Sequence, residues 1–311
     1  MTRYALQRLM TSVIVLLGAM TIIFVVVRLL PGDPVANILG AGATEEEIEA
    51  ARRGLGLDRP LLVQYLEFMR DALLLDFDDS IRLSGSAMSN VLERLPRTVE
   101  LAVAATAIAV LLSFPLGIAA GRRPNGVLDN AIMMGSLVGQ SVPTFWVGLI
   151  FILVLSQELR LLPSGGTGGP EHIILPAVTL AIPMLAILVR LIRSGLIEAL
   201  NESYIDTARS KGLPEWKVIY FHAVPNLMIP VVTIVGLELG GVLGGAVVIE
   251  VVFAWPGVGR LLVNAITHRD FTIVQAAITL ITAIFVIVNL VVDLLYAYID
   301  PRVRLGASMT S

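Results

Sequence analysis

The sequence holds no cysteine, which excludes both a disulfide framework and any thiolate metal site. Charge is scarce too. Asp, Glu, Lys and Arg make up 15% of the 311 residues, against roughly 25% in an ordinary soluble domain. A formal net charge of -3 denies the chain the basic face that nucleic-acid binding requires. Lysine occurs only as Lys211 and Lys217, which follow Ser210 and Trp216, so no phosphate-binding Gly-x-x-x-x-Gly-Lys-Ser/Thr loop can form. His172, His222 and His268 are too far apart for a His-Glu-x-x-His zinc site, and no Gly-x-Ser-x-Gly elbow is present. What the sequence does have is apolar bulk: 56% hydrophobic residues and a mean hydropathy of +0.84. The composition is that of a polytopic membrane protein.

A bilayer core takes roughly 20 apolar residues per helix. Stretches free of charged residues run over Leu9–Val27, Leu101–Gly121, Asn130–Gln157, His172–Val189 and Phe271–Val292. A sixth, Leu227–Ile249, contains a single acid, Glu238. None alternates as barrel strands do. The reading is all-α with six transmembrane helices. Arg3 and Arg8 precede the first stretch, which is too long for a signal-peptide core. Pro31-Gly32-Asp33-Pro34 after it is no cleavage site, so a retained helix is expected.

Basic residues set the orientation. With the N-terminus inside, the inner segments carry Arg3, Arg8, Arg122, Arg123, Arg190, Arg193, Arg209, Lys211, Lys217, Arg302 and Arg304 against six acids. The outer segment from Pro31 to Arg97 carries seven arginines against twelve acids. Both termini are therefore expected in the cytoplasm.

Two polar segments are long enough to fold. In the outer one, Thr44-Glu45-Glu46-Glu47 is a capping-box pattern opening a short helix that ends near Gly54 and Gly56. A second helix from Pro60 places Leu62, Leu66, Met69 and Leu73 on one face, as a solvated cap or a docking surface. The inner segment, Arg190–Pro225, reads as helix, turn, helix. Glu198, Glu202, Asp206 and Arg209 are spaced along the first helix, and Lys211-Gly212 ends it with a left-handed glycine. Pro214 and Glu215 open the second, with Trp216, Ile219 and Tyr220 as its apolar face. By composition alone, this loop is either a connector or a functional element.

The residues of that loop resemble a known pattern. Asp206-Thr207-Ala208, Gly212, His222, Val224 and Pro225 keep the spacing of the EAA loop of ABC-importer permeases: Glu-Ala-Ala, three residues, Gly, nine residues, Ile, one residue, Leu, Pro. Asp, Thr, His and Val depart from its residue types. The longer string Tyr204-Ile-Asp-Thr-Ala-Arg-Ser-Lys-Gly-Leu213 is similar to the dipeptide and oligopeptide branch. So are Arg28-Leu-Leu-Pro-Gly-Asp-Pro34, Pro143-Thr-Phe-Trp146, Pro230-Val-Val-Thr233, Phe253-Ala-Trp-Pro-Gly-Val-Gly-Arg260 and Asp293-Leu-Leu-Tyr-Ala-Tyr-Ile-Asp-Pro-Arg302.

The resemblance covers nearly the whole chain and implies the first permease subunit of a type I importer in a bacterial inner membrane. It implies residues 1–30 as N-terminus and first span, 31–97 as an extracytoplasmic loop, 98–300 as a five-helix core containing the coupling loop 190–225, and 301–311 as a cytoplasmic tail. It implies a second homologous permease, two cytoplasmic ATPase subunits or domains that bind ATP and Mg2+, and an extracytoplasmic binding protein. No cofactor is expected in this chain, and no enzymatic activity. Tyr204, Asp206, Thr207, Ala208, Lys211 and Gly212 are the implied ATPase-coupling residues. Peptides are the implied substrates, with glutathione or nickel complexes as variants within the family; outside it, an ion-gradient-driven secondary transporter is the alternative.

Three features stand apart from that motif. Glu238 sits mid-helix, where an ionised acid costs about 2.5 kcal/mol or more on insertion scales; it reads equally as a packed hydrogen-bonded residue or as part of a translocation path. Gly236, Gly240 and Gly244, with Gly241 and Gly245, suit close helix approach. Pro115, Pro143, Pro176, Pro183 and Pro230 are expected to interrupt membrane helices, and Gly165-Gly-Thr-Gly-Gly169 to be a flexible turn.

Overall fold

The computed structural model describes residues 2–29, 44–54, 58–80 and 82–299. Pro31–Pro34, Gly56, Asp300, Arg302, Arg304 and the 301–311 tail lie outside the described residues. Among those described, regular structure is helical apart from one isolated bridge, Asp79 with Ser86. The elements are α1 (Thr2–Leu29), α2 (Glu45–Gly54), α3 (Leu61–Leu74), α4 (Ala87–Arg122), α5 (Val127–Ser141), α6 (Thr144–Glu158), α7 (Ile174–Leu200), α8 (Ser203–Ser210), α9 (Glu215–Val252), α10 (Val258–His268) and α11 (Phe271–Ile299).

Helices α1, α4, α7, α9 and α11 are each long and apolar enough to cross a bilayer, and α5 with α6 makes a sixth candidate. The sixth departs from the sequence reading. Asn130–Gln157 is not one helix but two, meeting at 106°. Val142 is extended (φ -87°, ψ 132°) because the following proline disfavours the helical region for it. Pro143 then serves as the N-cap of α6.

The other four prolines break nothing. Pro115, Pro176, Pro183 and Pro230 all lie within continuous helix. Pro225 leaves a local mark: α9 widens to a π turn over Val218–Ala223 just ahead of it. A proline has no N–H for the carbonyl four residues back and crowds it, and a widened turn relieves both defects.

The chain divides into two compact units, one of residues 6–98 and 256–287, the other built on 99–255 and 288–299. The first buries Met20, Ile23 and Phe24 of α1 with Phe68, Phe77, Met88, Leu261 and Ile273. Thr98 Oγ1 accepts the Val258 N–H at 2.9 Å, tying α4 to the start of α10. The second buries α7 most deeply, with Leu175, Leu180, Met184, Leu188, Ile192 and Leu196 at its centre. Along α1 and α4, Leu9, Ile14, Ile22, Val103 and Leu111 stay exposed.

The capping box forms as expected. Glu47 N–H donates to Thr44 Oγ1 (3.4 Å), and Thr44 N–H donates back to Glu47 Oε2 (2.8 Å). Helix α3 also forms, but with its faces exchanged. Leu62, Leu66 and Leu73 are 59–69% exposed, while Gln64, Phe68 and Ala72 are buried. The helix is apolar on both sides, and the aromatic side wins because its rings bury more area. Phe68 stacks near Phe24 and Phe77, at 5.8 and 6.5 Å between centroids.

Candidate functional site: the coupling loop

The inner polar segment folds as two short limbs on a rigid base. Its first helix is not continuous through Asp206 as the charge spacing suggests. Glu198 lies in the last turn of α7, Asn201 caps it, and Glu202 is the N-cap of a separate helix, α8. Ile205 and Ala208 of α8 enter the same buried cluster as Val218, Ile219 and Ala223 of α9. Ala208 is thus an anchor within the chain, whereas Tyr204, Asp206, Thr207, Lys211 and Gly212 are exposed.

Gly212 adopts φ +76°, the left-handed turn expected of it, with its N–H donating to Arg209 O at 2.9 Å. Across this turn Arg209 grips Glu215, with Nη2–Oε1 at 2.9 Å and Nε–Oε2 at 3.3 Å. Asp206 lies 3.8 Å from the same guanidinium and is 77% exposed. Tyr204 is held from the other limb, its hydroxyl accepting from Asn226 Nδ2 at 2.8 Å. Thr207 Oγ1 donates to Ser203 O.

The face expected to pack inward does so only at Ile219. Trp216, Tyr220 and Phe221 are 53–66% exposed. Trp216 meets Phe221 edge-on at 6.1 Å, and Lys217 Nζ stands 5.5 Å above the indole. The π turn explains the difference, since it shifts the side-chain register partway along the helix and turns Val218 and Ile219 into the core together. A protruding aromatic and charged surface results, of the kind that partner proteins bury.

Beneath it the last turns of α7 are clamped. A Cβ on Gly117 would stand 2.7 Å from Ile192, one on Gly121 3.1 Å from the Arg193 carbonyl, and one on Gly195 2.6 Å from Leu227. Helix α4 therefore approaches α7 at backbone distance, and Gly195 leaves room for the Leu227 side chain of α9. Arg193 binds Asp129 of α5 through two bonds, Nε–Oδ1 at 2.5 Å and Nη2–Oδ2 at 2.6 Å; Asp129 is 1% exposed and also accepts the Asn125 N–H. These contacts hold the end of α7 against α4, α5 and α9. Sequence spacing gives no hint of the Asp129–Arg193 pair, 64 residues apart. The Arg209–Glu215 pair was not read from the sequence either, although the two residues stand three positions either side of Gly212.

Glu238 is half-buried on α9, its Oε2 beside Gly241. Of the glycine ladder, Gly236 makes a tight contact: a Cβ there would meet Val292 at 2.4 Å, while Gly244 faces open space. Gly165 is no flexible turn. A Cβ on it would lie 1.9 Å from Phe253 O, and Gly166 N–H donates to that same carbonyl at 2.8 Å. Sequence reading also missed Glu250, fully buried one residue beyond the apolar stretch Leu227–Ile249.

A bundle of apolar spans carrying a protruding helix–turn–helix on a braced base is the architecture of an ABC-importer permease. Solved structures agree on the fold. The inward-facing methionine ABC transporter MetNI matches with a TM-score of 0.54 at 15% identity over 68% of this chain and 95% of its own; an amino acid ABC transporter matches with a TM-score of 0.51 at 18% identity, over 69% and 94%. Sequence comparison fixes the family. Residues 113–305 match the binding-protein-dependent transport system inner membrane component, and residues 1–102 its N-terminal part. The chain belongs to that family. It is 36% identical to the dipeptide transport system permease protein DppB of Alkalihalophilus pseudofirmus over 98% of this chain and all of that one. Oligopeptide permease AppB of Bacillus subtilis is 38% identical over 98% and 100%, and glutathione permease GsiC of Salmonella typhi 38% over 98% and 99%. The chain is therefore a multi-pass inner-membrane permease component of the ABC-importer type.

Proposed function

We propose that this chain imports short peptides, pairing with a second homologous permease above two ATPase subunits or domains that hold ATP and Mg2+, and receiving substrate from an extracytoplasmic binding protein. Both termini face the cytoplasm, and α8 with the Gly212 turn is the element seated on an ATPase. The observation that carries this reading is the exposed surface of Tyr204, Asp206, Thr207, Lys211 and Trp216, braced by the Arg209–Glu215 pair and seated on buried Ile205 and Ala208. Relatives across the whole length that are named for dipeptides, oligopeptides and glutathione support a peptide-like cargo.

The test is ATP-driven uptake by the reconstituted complex with the ion gradient held constant. Uptake that stops on ATP depletion supports the reading; uptake that follows the gradient instead identifies a secondary transporter. Asp206→Arg reverses charge on the exposed limb and should lower substrate-stimulated ATP hydrolysis severalfold at low salt. The loss should shrink at 1 M salt, where the Debye length falls to about 3 Å.

A further inference from the structure

In the unit of residues 6–98 and 256–287, a cavity of about 330 Å3 lies among Arg82, Arg94, Asn264 and His268, over Leu261, Ala265 and Ile273. That volume suits a small molecule. Asn264 and His268 are four residues apart on α10 and so share a face; Leu261, Ala265 and Ile273 are buried and give the cavity an apolar floor.

The wall is built, not incidental. Asp270, 2% exposed, also lines the cavity, and both its oxygens are taken. Oδ2 accepts from Ser80 Oγ at 2.6 Å and from the Arg82 backbone N–H at 3.4 Å; Oδ1 accepts from Thr272 Oγ1 at 2.8 Å and Ile273 N–H at 3.3 Å. Asp270 therefore fixes the backbone that presents Arg82, while its charge is met by neutral donors. Among the described residues neither the Arg82 nor the Arg94 guanidinium has an acidic partner. Two guanidiniums with no ion pair among the described residues, above an apolar floor, are complementary to an anion with an apolar body, and a guanidinium matches a carboxylate bidentately.

We propose that Arg82, Arg94, Asn264 and His268 form a binding pocket for the carboxylate of a small amphiphilic acid, such as the C-terminus of a short peptide. The choice of a peptide-like acid rests on the importer reading; the site itself does not.

Calorimetric titration of the detergent-purified complex with N-acetyl-leucine and with N-acetyl-leucinamide tests the site on the unaltered protein. The acid should bind about tenfold or more tightly than its neutral counterpart, the worth of one charge-assisted contact; equal affinities overturn the proposal. Arg94→Gln and Arg82→Gln should each weaken the acid about tenfold and leave the amide unchanged. Undiminished acid binding in both variants also overturns it. A lipid phosphate is the rival anion. If native mass spectrometry finds an anionic phospholipid retained by the unaltered complex and lost in Arg94→Gln, with no acid binding in either, the carboxylate assignment fails. Acid binding without ATP-driven peptide uptake would instead leave the pocket standing and remove the importer reading.

Discussion

At Gly212 a single residue sets the angle between two limbs. Its φ of +76° is left-handed, and nothing lies within 4 Å of the position a Cβ would take. The penalty for substitution is therefore backbone strain alone, about 1–2 kcal/mol for most residues. Gly212→Val should insert normally yet lose most substrate-stimulated ATP hydrolysis, while Gly212→Asn, a residue that tolerates this conformation, should retain it. Equal activity of the two variants would show that turn geometry is irrelevant to coupling. Asp129 and Arg193 make the opposite kind of contribution, through burial. Asp129→Asn strips the charge from a bidentate partner and should cost about 3 kcal/mol in unfolding measurements in detergent. Replacing both residues with Leu and Met should recover most of that loss, because an apolar pair leaves no charge stranded. A double variant as unstable as the single one would place the defect elsewhere.

At the scale of elements, the capping box of α2 supplies a pH test. The Thr44 N–H and hydroxyl donate to Glu47 and hold its carboxyl below the usual glutamate range. A lowered folded-state value means that the contribution is complete above the unfolded pKa, about 4.3, and disappears as pH falls through the folded value. A spin label at Glu46 should therefore stay ordered from pH 7 to about 5 and gain mobility below about pH 4. Thr44→Ala should be mobile throughout, and a variant that keeps the same pH step would rule out the cap as its cause. The α5–α6 pair shows how strongly one proline acts when the preceding residue is forced out of the helix, whereas Pro115, Pro183 and Pro230 pass within unbroken helices. Satisfying the freed carbonyl, through neighbours or a local widening, makes the difference.

For the whole molecule, the absence of cysteine makes topology directly measurable. A cysteine placed at Glu46 in α2 should react with an impermeant thiol reagent in intact cells, and one at Ser203 in α8 should react only after the membrane is opened. The reverse pattern would invert the proposed orientation and put the coupling surface on the wrong side for an ATPase. The same experiment run along α5 and α6 decides whether the 106° pair crosses the bilayer or returns to the side it entered from.

The sequence by itself determined the membrane class, five of the six candidate spans and the left-handed glycine turn of the inner segment. These follow from local chemistry: charge-free length, a capping pattern at fixed offset, and the one residue type free of a Cβ. It also carried the family, since the motif spacing around Asp206 and Gly212 is linear information. Faces and partners were another matter. Leu62, Leu66 and Leu73 had as good a helical period as Phe68 and Ala72, and only the rings of Phe24 and Phe77 decided which side is buried. Tyr220 lies outward within a π segment that spacing does not reveal. Asp129 found Arg193, and Arg82, Arg94 and Asp270 came to line one cavity, through long-range packing. Tertiary structure decided these points because burial and charge pairing depend on which distant segments meet, and periodicity within one segment cannot encode its neighbour.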